Sequence, residues 1–182
     1  MMDTPTTMRL FGTAVDSIVD GPGLRYAVFT QGCPHHCPGC HNEKSQPFEG
    51  GYDQSIDTLF QEITSNKLIS GVTLSGGEPL EQSGACKVLA QKLKDEGYNL
   101  WVYTGFLFED ILAGTCGSDA IELLNLCDVL VDGPFVKEMH DYELKWRGST
   151  NQRVIDLQKS LQSNSAVLWK ESEIIAEVPP SW

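Results

Sequence analysis

RYAVFTQGCPHHCPGCHN, residues 25–42, couples a β-rich run to a cysteine loop. Arg25 to Gln31 is β-branched and aromatic and predicts a strand. It runs straight into Cys33, Cys37 and Cys40, a C-x3-C-x2-C spacing. Pro34, Pro38 and Gly39 keep this loop out of regular helix or strand, because proline fixes φ and gives up a backbone donor. Such a loop can wrap three thiolates around one centre, and thiolates take soft metals, chiefly zinc or an iron–sulfur cluster. Three protein ligands leave one position open, which points to chemistry rather than to a closed structural site. A zinc reading needs His35, His36 or His41 as fourth ligand. Zinc sites of that kind draw on two separated ligand pairs, and the chain has no second pair. His35 and His36 are expected to be exposed loop residues.

Working outward, Arg9 to Val19 predicts a first strand, turned by Asp20-Gly21-Pro22-Gly23. Asn42 to Asp53 is polar and reads as a loop. Ser55 to Asn66 places Ile56, Leu59, Phe60 and Ile63 at helical spacing. Gly71 to Ser75 reads as a buried strand ending at Gly76-Gly77, Gln82 to Glu96 as a helix stopped by Gly97, and Asn99 to Thr104 as a strand. Phe106 to Ala113 and Asp119 to Asn125 read as short helices. Cys127 to Asp132, Arg153 to Leu157 and Ala166 to Trp169 read as strands. Residues 1–8 and about 170–182 are expected as loose ends of one domain spanning 1–182.

Strands alternating with helices imply βαβ units. A complete eight-stranded barrel takes ~250 residues. The expected fold is therefore α/β, an incomplete (β/α) barrel of about five or six mostly parallel strands, with an open doubly wound sheet as the alternative. In either fold the active face lies beyond the carboxyl ends of the strands. The cysteine loop, Ser75-Gly76-Gly77-Glu78-Pro79, Thr104 and Asp132 each follow a strand, so they should converge on one face.

The chain has 182 residues, 41% hydrophobic and 21% charged, with a formal net charge of -12. That balance is of an ordinary globular protein and excludes the basic footprint of a nucleic-acid binder. Lys137, Lys145 and Arg147 form a local basic patch on which a protein partner could dock. No apolar run approaches the roughly 20 residues needed to cross a bilayer, and Met1 to Met8 lacks a signal-peptide pattern. A cytoplasmic protein with reduced thiols is expected. Cys86, Cys116 and Cys127 lie in apolar or helical contexts and read as inert thiols.

The C-x3-C-x2-C loop after a strand resembles that of the radical S-adenosylmethionine enzymes. Ser17-Ile18-Val19-Asp20-Gly21-Pro22-Gly23-Leu24-Arg25 looks like the signature of the subgroup that activates glycyl-radical enzymes. Residues 101–105, 131–135 and 146–152 also resemble that subgroup, and the likeness extends over about 9–157. It implies a [4Fe-4S] cluster on Cys33, Cys37 and Cys40, with S-adenosylmethionine chelating the fourth iron and releasing a 5′-deoxyadenosyl radical on reduction. It also implies Gly76, Gly77 and Glu78 at the methionine amino group, Thr104 and Asp132 lining the site near the methionine carboxylate, and Gly39, Cys40 and His41 near the adenine; because two carboxylates repel, a monovalent cation between Asp132 and the methionine carboxylate is a further expectation. Arg147, Asn151 and Arg153 are candidates for the ribose or methionine end, or a solvated loop. The implied partners are a large glycyl-radical protein, of the anaerobic ribonucleotide reductase or formate-lyase type, and a low-potential electron donor such as flavodoxin. One departure stands out: family members usually carry an aromatic residue before the third cysteine, where this chain has Gly39.

Overall fold

In the computed structural model, which describes residues 4–171, one mixed sheet carries the chain. Its strands are β1 (Thr7–Ser17), β2 (Arg25–Thr30), β3 (Tyr52–Ser55), β4 (Gly71–Gly76), β5 (Asn99–Tyr103), β6 (Val129–Asp132) and β7 (Arg153–Asp156), in the spatial order β3-β1-β2-β4-β5-β6-β7. The helices are α1 (Ile56–Ser65), α2 (Ser83–Asp95), α3 (Phe108–Leu112), α4 (Ser118–Leu126) and α5 (Leu157–Ser163). Where helices intervene, β2, β4, β5 and β6 pair in parallel. Where none does, β1 pairs antiparallel with β2 and β3, and β6 with β7. Parallel neighbours need a long crossover, whereas a turn suffices for antiparallel ones. The expectation of five or six mostly parallel strands is thus corrected to seven strands with half of the ladders antiparallel.

Alternation along the strands sorts the two faces. Val28, Leu74, Val102 and Leu130 point to the helices, where Leu59, Leu89, Phe108, Leu123 and Leu157 complete the main core. All five helices contribute to that one layer, unlike a doubly wound sheet with helices on both faces. The opposite face holds Trp101, Val129 and Val131, packed by Trp146 and Trp169. Arg25 is buried there too, its guanidinium donating to Thr73 Oγ1, Val72 O and Asn99 O and lying 5.5 Å over the Trp101 ring. A buried cation needs such partners to offset its lost hydration.

Some boundaries differ from expectation. Thr7 and Met8 belong to β1, with Met8 in the core; residues 1–3 and 172–182 of the expected loose ends lie outside the described residues. The stretch expected as a loop over 42–53 holds a 3₁₀ turn at Glu43–Ser45 and the start of β3. Ala166 to Trp169 makes one bridge, Leu168 to Ile155, rather than a full strand. Ser55 and Asp156 cap α1 and α5 by accepting from the Thr58 and Lys159 N–H groups.

Candidate active site

At the carboxyl ends of the four parallel strands the chain leaves β2 into the cysteine loop, β4 into Gly77-Glu78, β5 into Thr104-Gly105 and β6 into Gly133-Pro134. These exits enclose a cavity of about 690 Å³ on the face opposite the helices, within the roughly 300–1,000 Å³ of ligand sites. Phe29, Ser75 and Tyr103, the residues that alternation turns away from the helices, form its floor.

Cys33, Cys37 and Cys40 all line the cavity, as do His41, Gly76, Gly77 and Thr104. Burial pushes the Cys33 thiol up to about 11 and raises that of Cys37, and each is raised further by the charge of its cysteine neighbour. Among the described residues no three His, Cys, Asp or Glu side chains converge closely enough for one shared ion. A cluster in which each thiolate takes its own iron asks for no such convergence. The donor set, three thiols with an open cavity beside them, fits a [4Fe-4S] cluster. Cys86 and Cys127 are buried in the helix-side core, and Cys116 packs against it; burial pushes the Cys86 thiol up to about 12.

Gly76 and Gly77 form a ledge where backbone meets backbone. A Cβ on Gly77 would come within 2.3 Å of Gly32 O. Gly77 N–H donates to Thr30 O and Glu78 N–H to Gly32 O, both at 2.8 Å, which seats the cysteine loop on the end of β4.

Gly39, Glu78, Asp132, Asn151 and Arg153 do not line the cavity. Gly39 lies against the Lys137 stem on the outside. Glu78 is fully buried behind the wall. Its Oε1 accepts from Leu80 N–H, and its Oε2 accepts from Gly105 N–H at 2.8 Å and meets His35 Nε2 at 2.9 Å. Asp132, also fully buried, accepts from Arg153 and from Phe108 N–H. Arg153 is bound on its other side to Glu109. His35 was expected in solvent but is half-buried between Glu78 and Phe106, with ring centroids 4.5 Å apart. Arg147 lines the cavity, while Asn151 does not and bonds to Pro134 O.

Ile18, Val19 and Asp20, outside the expected site residues, flank the cavity. Ser17 pairs with Arg25, so the β1–β2 turn begins at the far end of the sheet. It then folds back over the open face, where Thr73 Oγ1 donates to Asp20 O at 2.6 Å. Tyr103 and Trp146, likewise outside the expected site residues, line it too. The Tyr103 hydroxyl donates to Trp146 O at 2.7 Å, and burial holds its pKa far above the ordinary phenol value. The alternation of NLWVY was the signal that could have placed Tyr103 on the cavity side.

Residues 19–155 match the family of 4Fe-4S single cluster domains. A protein of Salmonella typhi described as anaerobic ribonucleoside-triphosphate reductase-activating protein is 36% identical over 145 residues, 75% of this chain and 91% of that protein. The protein of the same description from Escherichia coli K12 is 35% identical over 148 residues, 75% of this chain and 91% of its own length. That from Enterobacteria phage T4 is 34% identical over 161 residues, 84% of this chain and 92% of its own. Among solved structures, QueE from Escherichia coli is similar at a TM-score of 0.38 and 14% identity, over 55% of this chain and 52% of that one, too distant to carry an argument.

Proposed function

This chain belongs to the family of anaerobic ribonucleoside-triphosphate reductase-activating proteins, built on a 4Fe-4S single cluster domain, and we propose that it acts as a radical S-adenosylmethionine activase of that reductase. Held by Cys33, Cys37 and Cys40, the cluster would supply one electron for cleavage of S-adenosylmethionine to methionine and a 5′-deoxyadenosyl radical, which would take a hydrogen atom from a glycine Cα of the reductase.

The residues divide that work. Cys33, Cys37 and Cys40 hold the cluster. The Gly76-Gly77 ledge receives the methionine end, and Thr104 lines the same cavity. Glu78 and Asp132 act from behind: Glu78 ties the loop to the strand ends, and Asp132 with Arg153 fixes the β6 exit. His41, whose ring lies 5.6 Å from Phe135, offers the adenine a surface in place of the aromatic residue that Gly39 lacks. On this reading the sheet serves as an incomplete barrel, whose wide mouth admits the glycine-bearing loop of the partner. A low-potential carrier such as a flavodoxin delivers the electron, in the cytoplasm. No helix among the described residues is long and apolar enough to cross a membrane.

The observation that carries this reading is the meeting of three cysteines and a glycine ledge in one cavity at the ends of parallel strands. Its test is anaerobic reconstitution with iron and sulfide, reduction, and measurement of 5′-deoxyadenosine. A glycyl doublet in the electron paramagnetic resonance spectrum should follow when the reductase is added. A colourless protein that binds zinc and no iron would overturn it.

A further inference from the structure

The two ends of the cysteine loop are tied by the backbone: Gly32 N–H donates to Ser45 O at 2.7 Å, Cys33 N–H to Gln46 O at 2.9 Å and Cys40 N–H to Cys37 O at 3.2 Å. The middle is held differently. Pro34 has no N–H to give. His36 sits at φ 47, a left-handed conformation that a side-chain-bearing residue keeps only when its surroundings enforce it. Among the described residues, the side chain of this middle segment that bonds to the sheet is His35. Its Nε2 lies 2.9 Å from Glu78 Oε2. Its ring fills the space where Gly105 has no side chain: a Cβ there would sit 2.4 Å from His35 Cδ2. Glu78 is immobilised in turn by the Leu80 and Gly105 N–H groups. One buried carboxylate thus joins the loop after β2 to the ends of β4 and β5.

We propose that His35 is a positioning residue for the cluster thiolates: latched to Glu78, it holds the Cys33–Cys37 segment in its ligating arrangement before iron arrives. This rests on the reading that the loop carries the cluster. The His35 Nε2 is committed to Glu78 and so is not free to take iron.

The test uses the full chain. His35→Phe keeps a ring against Phe106 and removes the bond to Glu78, while Gly105→Ala displaces the ring without altering either partner. In the apo-protein, amide hydrogen exchange at Cys33 and Cys40 should quicken about ten- to a hundredfold in both variants, the scale of one hydrogen bond to a charged group. Exchange at Val72 and Leu100 should stay at the wild-type rate, which verifies the fold, and Gly105 N–H should stay protected in His35→Phe. After reconstitution and desalting, both variants should retain several-fold less iron than wild type, with a changed resonance line shape for the reduced cluster. Wild-type exchange rates at Cys33 and Cys40 in both variants, with full iron content, overturn the latch and leave the cluster reading standing. A wild type that takes up no iron, alongside variants whose loops still loosen, overturns the cluster reading and keeps the latch.

Discussion

Replacing Arg153 by methionine should strand a buried anion. Arg153 Nε donates to Asp132 Oδ1 at 3.0 Å, and Nη2 reaches Oδ2. The remaining donor to Asp132 among the described residues is Phe108 N–H at 2.9 Å. Methionine keeps the apolar stem and deletes the charge, so a fully buried carboxylate is left with one partner. Breaking a buried pair costs about 3–5 kcal/mol. The Arg153 side chain is 29% exposed, so water enters the gap and the low end, about 3 kcal/mol, applies. For a domain of this size that is a fall in Tm of roughly 6–12 °C. Glu109→Gln removes a partner that is 55% exposed and should cost no more than about 1 kcal/mol. Urea unfolding of the apo-protein, followed by tryptophan fluorescence, measures both costs. A cost for Arg153→Met below about 1 kcal/mol would refute the reasoning.

Single alanine replacements of Cys33, Cys37 or Cys40 should abolish retention of a cluster, measured as iron and sulfide per chain, whereas replacing Cys86, Cys116 or Cys127 should leave it unchanged. Because burial raises the Cys33 thiol to about 11, and metal uptake must release that proton, the apparent iron affinity should climb with pH through the alkaline range. The same raised thiol means the apo-protein should lose stability as pH rises from about 9 to about 11, seen as a falling urea midpoint. Gly77→Ala should cost about 1–3 kcal/mol in urea unfolding and impair iron retention, since its Cβ would overlap Gly32 O at 2.3 Å. Gly12→Ala, with nothing within 4 Å, is the control and should behave as wild type.

The parallel centre was legible because each of its strands is an apolar run closed by a loop signal, and because helical spacing separates them. The antiparallel flanks were not. Asp20-Gly21-Pro22-Gly23 is the kind of turn that joins a hairpin, so β1 and β2 could have been read as antiparallel. β3 is polar, Tyr-Asp-Gln-Ser, and is a strand because β1 offers it a ladder rather than through any pattern of its own. α5 was hidden because Ser160 and Gln158 blur its short apolar stripe, though Asp156 was an available cap. In the site, the cysteine spacing announced its own chemistry. The supporting roles of Glu78, Asp132 and His35 were beyond sequence reading, since each depends on a partner 21 to 43 positions away.

β1 is eleven residues long, and its outer border would be an inviting template for a second molecule if left bare. Four polar residues of β3 shield Thr7 to Leu10, with Asp53 pinned to Arg9 at 3.1 Å, and register breaks after Leu10 bend the remainder out of line. Shortening the chain across residues 50–55, even with the cysteines untouched, would therefore expose a sticky lateral rim and yield a preparation that precipitates by side-to-side association.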